Sequence, residues 1–144
     1  MAVSVQVDAF DIGAELGEMR KDTRAGALVN FTGIVRGGDD LVALELEHYP
    51  AMTKSALEAI EAEARARWDL IDTRIIHRVG RLALGEEIMM VAVSAPHRAD
   101  AFQAAEFMMD FLKSRAPFWK KEHFKSGTQW VDAKDSDEGA LRRW

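Results

Sequence analysis

Five cationic side chains, Lys113, Arg115, Lys120, Lys121 and Lys125, fall between positions 111 and 127 against one carboxylate, Glu122, a local net of +4. Cations at the end of a helix complement its dipole, which accounts for Lys113 and Arg115. It accounts less well for Lys120 and Lys121, which follow Pro117 and stand beside Phe118 and Trp119. An amine crowded by aromatic rings and other cations gives up its proton more readily, and the free amine is both a base and a nucleophile. Two further groups point to anion chemistry. His97 and Arg98 occupy the junction SAPHR (94–98), between an apolar run and a helical one. The first turn of a helix offers free backbone N–H groups and a positive dipole end, so the pair forms a ready anion site. Arg36 ends TGIVR (32–36), just before Gly37 and Gly38, at the mouth of a turn.

Other chemistries are excluded or unsupported. With no cysteine among 144 residues there is no thiol nucleophile, cysteine-bound metal, disulfide or protein-borne persulfide, so any sulfur handled here arrives on something else. His48, His77, His97 and His123 show neither H-x-H nor H-E-x-x-H spacing, and no metal site is expected. Gly33, Gly37 and Gly38 form no phosphate loop or dinucleotide fingerprint, and Ser94 and Ser114 lack a nucleophile-elbow setting. The balance of 19 Lys+Arg against 24 Asp+Glu, a net charge of −5, argues against general nucleic-acid binding. No stretch approaches the roughly 18 apolar residues of a membrane span. Val3, Val5 and Val7 alternate where a secretory leader would carry a basic patch and then an apolar run. A soluble, cytoplasmic protein is the expectation.

The elements that must position these groups follow from periodicity. Strands are predicted at 2–7, 26–35, 42–49, 71–79, 82–84, 88–95 and 128–133, and helices at 11–21, 54–68 and 98–115. The runs 26–35 and 42–49 flank Gly-Gly-Asp-Asp and read as a hairpin, the second with Val42, Leu44, Leu46 and His48 on one face. Thr53 caps the helix 54–68, whose stripe is Leu57, Ile60, Ala64 and Trp68. The run 88–95 is apolar on both faces and belongs mid-sheet. The longest helix, 98–115, turns Phe102, Ala105, Met108, Met109 and Leu112 inward and stops at Pro117. Residues 116–127 read as an aromatic and basic loop, and 135–144 as a polar tail. No repeat or linker interrupts the chain, so a single α+β domain over 1–144 with a largely antiparallel sheet is expected.

One distance constrains the site. If Arg98 and Lys113 share a helix, 15 positions separate them by roughly 22 Å along its axis. A small ligand does not reach both in one chain. Either they serve different sites, or a second copy of the protein brings its Arg98 end beside this copy's Lys113 end, as a symmetric dimer does.

The assembled segments resemble the large, catalytic subunits of molybdopterin synthase, the MoaE family. The likeness is carried by FTGIVR (31–36), LELEHYPAMTKSAL (44–57), IIHRVGRLALGEEIMMVAVSAPHR (75–98) and FMMDFLKSRAPFWKKE (107–122), followed by Trp130 and Val131. It implies an α/β hammerhead fold with a small additional antiparallel β subdomain. It also implies a homodimer at the core of a heterotetramer, flanked by two copies of a small ubiquitin-like sulfur carrier whose C-terminal Gly-Gly thiocarboxylate enters a pocket of the large subunit. The implied reaction converts cyclic pyranopterin monophosphate into the dithiolene of molybdopterin, with no resident cofactor. Lys113 and Lys120 match the catalytic lysines of the family. Ile34, Val35 and Arg36, then His97 and Arg98, then Lys120, Lys121 and Glu122, with Lys113, match its substrate-binding stretches.

Three positions depart from the family pattern. Ile34 stands where many members have lysine, the loop 37–41 is short, and Lys134 replaces an arginine that reaches across the dimer, keeping the charge but losing the bidentate fork. The other reading of the same residues is a non-catalytic dimeric binding module that holds an anionic metabolite or a carrier tail on the basic patch. It predicts binding without turnover dependent on Lys113 or Lys120.

Overall fold

The computed structural model describes residues 2–38, 40–131 and 135–144. Its first sheet runs, in spatial order, β1 (Ala2–Gln6), β4 (Asp72–Arg78), β6 (Glu87–Ala95) and β2 (Ala27–Ile34). The β1–β4 pair is parallel and the other two are antiparallel. The second sheet, antiparallel throughout, runs β5 (Gly80–Ala83), β3 (Leu41–His48), β7 (Phe118–Phe124) and β8 (Gly127–Val131). Four helices among the described residues complete it: α1 (Ile12–Met19), α2 (Pro50–Arg67), α3 (Arg98–Arg115) and α4 (Asp135–Leu141). The mixed α+β class with mainly antiparallel sheets is the one read from the sequence.

The apolar run 88–95 is mid-sheet because both its faces are covered. Met89, Val91, Val93 and Ala95 pack with Leu57, Ile60 and Ala64 of α2 and Ala101, Phe107, Met108 and Leu112 of α3. Met90 and Ala92, alternating to the other face, pack with Met19 of α1 and Ile76 of β4. A fully buried side chain of this size contributes about 1.5–3 kcal/mol, so this double-sided layer is the rigid frame of the molecule. Val35, Leu46 and Leu82 join the two sheets through a smaller apolar cluster.

Several expectations are corrected. The strands β2 and β3 do not form a hairpin: β2 pairs with β6 in one sheet, and β3 pairs with β5 and β7 in the other. The chain leaves the first sheet at a register shift between Gly33 and Ile34, and Val35 then bonds to the β5–β6 turn through Glu86 O and Gly85 N. Alternation identifies a strand but not its partner. A second shift between Leu41 and Ala43 leaves Val42 exposed and buries Ala43, so Val42 does not share the buried face with Leu46. Helix α2 starts at Pro50 with Tyr49 as N-cap, because proline suits the first helical turn, and Thr53 is buried inside it. Phe102 is 62% exposed, since the small Ala101 and Ala104 face the sheet in its place.

The segment 116–127 is not a loop. Phe118–Phe124 is strand β7, paired along most of β3 and turned at 125–126 into β8. Its charges hid it, because Lys120 and Glu122 alternate with Trp119 and Lys121 and no apolar face stands out. The polar tail likewise holds α4, and its last two residues are tied down. Arg143 bridges Glu106 and Asp110, and Trp144 packs edge-on to Trp68 and Phe107 while its indole N–H donates to Asp110.

Candidate functional site

Helix α3 follows β6 directly and packs back along it and β2. Lys113 therefore returns to the end of the sheet where β6 begins. There His77 of β4 pairs with Met89, and β2 ends opposite Glu87 just before Arg36. Lys120 reaches the same end from the second sheet. On β7, Phe118, Lys120 and Glu122 share one face, and Phe118 stacks on His77 with ring centroids 3.8 Å apart and planes 16° from parallel. Both lysine charges act on the His77 ring.

His77 is 3% exposed. Its Nδ1 lies 2.8 Å from the carbonyl oxygen of Arg78, and a carbonyl only accepts, so Nδ1 carries the hydrogen and Nε2 the lone pair. Burial pushes the His77 imidazolium down to about 3, with further repulsion from Lys113, Lys120 and His48, against the opposing hydrogen bond to Arg78. The ring is neutral at physiological pH. His48, whose ring centroid lies 6.4 Å from that of Phe118, buries its Nδ1 with no hydrogen-bond partner among the described residues. Lys113 is exposed and Lys120 half-buried, and the charges of both act on the buried His77 ring.

The other candidates divide. Val35 is buried in the cluster joining the sheets, and Ile34 and Arg36 on either side of it are exposed at the Lys113 end. Lys121 and Glu122 part company, since alternation puts Glu122 with Lys120 and Lys121 on the outer face, its Nζ 5.1 Å from the centre of the Trp130 ring. Next to Lys121, His123 Nε2 meets Glu45 at 2.8 Å. His97 and Arg98 lie at the far end of α3, exposed, with His97 in the N-cap position and making no side-chain cap bond. The structure does not bring them to the lysines within one chain. Lys134 lies outside the described residues. Sequence reasoning missed His77, Phe118 and His48 as parts of the site; the signal was a lone histidine inside an apolar strand, IIHRV (75–79).

Among the described residues no cluster of three His, Asp or Glu side chains is placed to hold a metal, and no helix is long and apolar enough to cross a membrane. The fold and site define a two-sheet α+β protein with a cysteine-free, two-lysine centre built around a neutral histidine.

Comparison with known proteins places it among relatives. The family model described as "MoaE protein" matches residues 5–115. The molybdopterin synthase catalytic subunit of Cereibacter sphaeroides is 57% identical, with 100% of each chain covered. The solved molybdopterin biosynthesis MoaE protein from Burkholderia ambifaria superposes with a TM-score of 0.86 at 53% identity, covering 100% of this chain and 98% of that one. A complex of subunits 1 and 2 of molybdopterin-converting factor from Helicobacter pylori shares the fold with a TM-score of 0.77 at 22% identity, over 92% of this chain and 90% of that one. The chain belongs to the MoaE family.

Proposed function

We propose that this protein is the catalytic subunit of a molybdopterin synthase, a sulfurtransferase of molybdenum cofactor biosynthesis. The observation that carries the reading is the meeting of Lys113, from the end of a helix, and Lys120, from a strand of the other sheet, around His77 in a chain without a single cysteine. Such a centre handles sulfur as an anion held by ammonium groups, never as a thiol of its own. The sulfur comes as the C-terminal thiocarboxylate of a Gly-Gly tail on a small ubiquitin-like carrier, and the acceptor is cyclic pyranopterin monophosphate. The two-subunit nature of the Helicobacter pylori relative supports a partner of this kind.

The residues then take these roles. Lys113 and Lys120 offset the negative charge of the thiocarboxylate and of the tetrahedral adduct formed when its carbonyl carbon is attacked. Once the sulfur has bonded to a pterin carbon, one of the lysines, as free amine, takes a proton from the water that attacks the carrier carbonyl, so that the carbonyl–sulfur bond breaks, the sulfur stays on the pterin and the carrier leaves as a carboxylate. Arg36, His97 and Arg98 hold the cyclic phosphate, with the α3 N-terminus adding backbone donors. Ile34 and Glu122 border the path of the carrier tail, Val35 anchors that edge in the cluster between the sheets, and Lys121, on the outer face of β7, stands outside it. Because His97 and Arg98 sit about 22 Å along α3 from Lys113, the complete site takes them from a second copy in a homodimer, with Lys134 the candidate to reach across. The reaction calls for no resident metal or cofactor, and its setting is the cytoplasm.

The test is reconstitution. Protein incubated with thiocarboxylated carrier and pyranopterin yields, after oxidation, the fluorescent derivative of molybdopterin, and omission of the carrier abolishes it. Repeated absence of that product with folded protein, alongside retained binding of the carrier, would favour a binding module instead.

A further inference from the structure

Two ring contacts meet at Phe118 of β7, which stacks on His77 of β4 at 3.8 Å and has His48 of β3 as its ring neighbour at 6.4 Å. His48 and Phe118 are register partners, so the Phe118–His77 stack ties the second sheet to the first. Phe118 and Lys120 occupy the same face of β7 one pleat apart. Seating Phe118 on His77 at 3.8 Å therefore fixes the strand immediately before Lys120. The seat itself is rigid. His77 is 3% exposed, lies on a strand hydrogen-bonded on both sides, and has its ring orientation set by the 2.8 Å bond to the Arg78 carbonyl.

The charged and titratable groups acting on this ring are Lys113 from α3, Lys120 from β7 and His48 from β3. A cation at position 77 would push both lysines away. A neutral ring adds no repulsion, and its flat face holds Phe118, and with it the strand that carries Lys120. We propose that His77 is a positioning residue of the two-lysine centre: its flat, uncharged ring, stacked on Phe118, sets Lys120 against Lys113. This rests on the sulfur-transfer reading for its kinetic consequence, but the placement of Lys120 is measurable without turnover.

The experiment compares His77→Ala, His77→Phe and the unaltered protein. With a 1 Å misplacement costing up to about a hundredfold, the Ala variant is expected to lose about 10- to 100-fold in kcat while KM for the thiocarboxylated carrier stays within about threefold. The Phe variant, which restores a flat neutral ring, is expected to return to within about threefold of the unaltered protein. In parallel, 13C-methyl groups placed on the lysine amines report on Lys120 directly by NMR. Its titration midpoint should move in His77→Ala and stay in His77→Phe. Should the Ala variant not fold, His77→Leu fills the volume without a stacking face and carries the same expected loss. Wild-type turnover in a folded Ala or Leu variant, a Phe variant as slow as Ala, or an unmoved Lys120 signal in the Ala or Leu variant each overturns the proposal. If the unaltered protein itself forms no product, the sulfur-transfer reading falls, and the NMR comparison still decides the role of His77.

Discussion

The two ends of α3 differ in how much of their chemistry the chain organises by itself. At the C-terminal end, the charges of Lys113 and Lys120 both act on the buried His77 ring, which stacks on Phe118 of the other sheet. At the N-terminal end, His97 and Arg98 are exposed and His97 makes no side-chain cap bond. The first end is preorganised, which is what stabilising a developing negative charge requires. The second is an open anion site, suited to a phosphate that stays unchanged through the reaction. On the proposed reading, chemistry and holding are separated by about one helix length, and joining them takes a second molecule.

The comparison can be broken most severely at the lysines. Lys113→Ala and Lys120→Ala are each expected to lower product formation by about 10²- to 10³-fold, as removal of a charge-stabilising donor does, with little change in melting temperature. Loss of stability in step with loss of product would move these lysines from the chemistry to the fold. At the other end Arg98→Ala is expected to raise KM for the pterin by about tenfold and leave kcat nearly intact, the pattern of lost ground-state binding. Mixed dimers carrying Lys113→Ala in one chain and Arg98→Ala in the other then keep one intact composite site and should turn over where a dimer with both changes in both chains does not. A KM for the pterin raised about tenfold in the mixed dimer, the value of the Arg98→Ala chain instead of the unaltered one, would mean that each chain completes its site alone.

The acid side sharpens the difference between the ends. His77 is held at about 3 in the folded protein, against roughly 6.5 for a free imidazole. Between those values the unfolded chain binds one more proton than the folded one, so stability falls as pH falls. The slope is about 1.4 kcal/mol per pH unit within that window, and the contribution is flat above it. His77→Phe should remove this slope from denaturant melts measured between pH 6 and 4, whereas His97→Phe, at the exposed end, should leave it in place. Ile34→Lys is the smallest change. At a position 55% exposed it should alter stability by less than about 0.5 kcal/mol and tighten the thiocarboxylated carrier tail by about threefold, read by titration.

Much of this was legible in the residues. The boundaries of α3 followed from Pro96, Pro117 and the helical period, and the mid-sheet place of 88–95 from its unbroken apolar run. The basic segment led to Lys113 and Lys120, and the helix rise separated Lys113 from Arg98. What the sequence hid were long-range pairings. Strand β7 has no apolar face because its inner side carries Lys120 and Glu122, and it becomes a strand only by pairing with β3 and β8. The apparent hairpin failed for the same reason, since β2 and β3 alternate well but belong to different sheets. His77 was visible only as one more histidine without metal spacing. Its role depends on Phe118, 41 positions away in the other sheet.

Whether Lys113 and Lys120 act as one centre is decided by a double-mutant cycle on product formation. Residues working as a unit are non-additive, so the Lys113→Ala/Lys120→Ala chain should be no more than about threefold slower than the worse single variant. Losses that multiply in the double variant would mean that the two lysines act independently and would contradict the account.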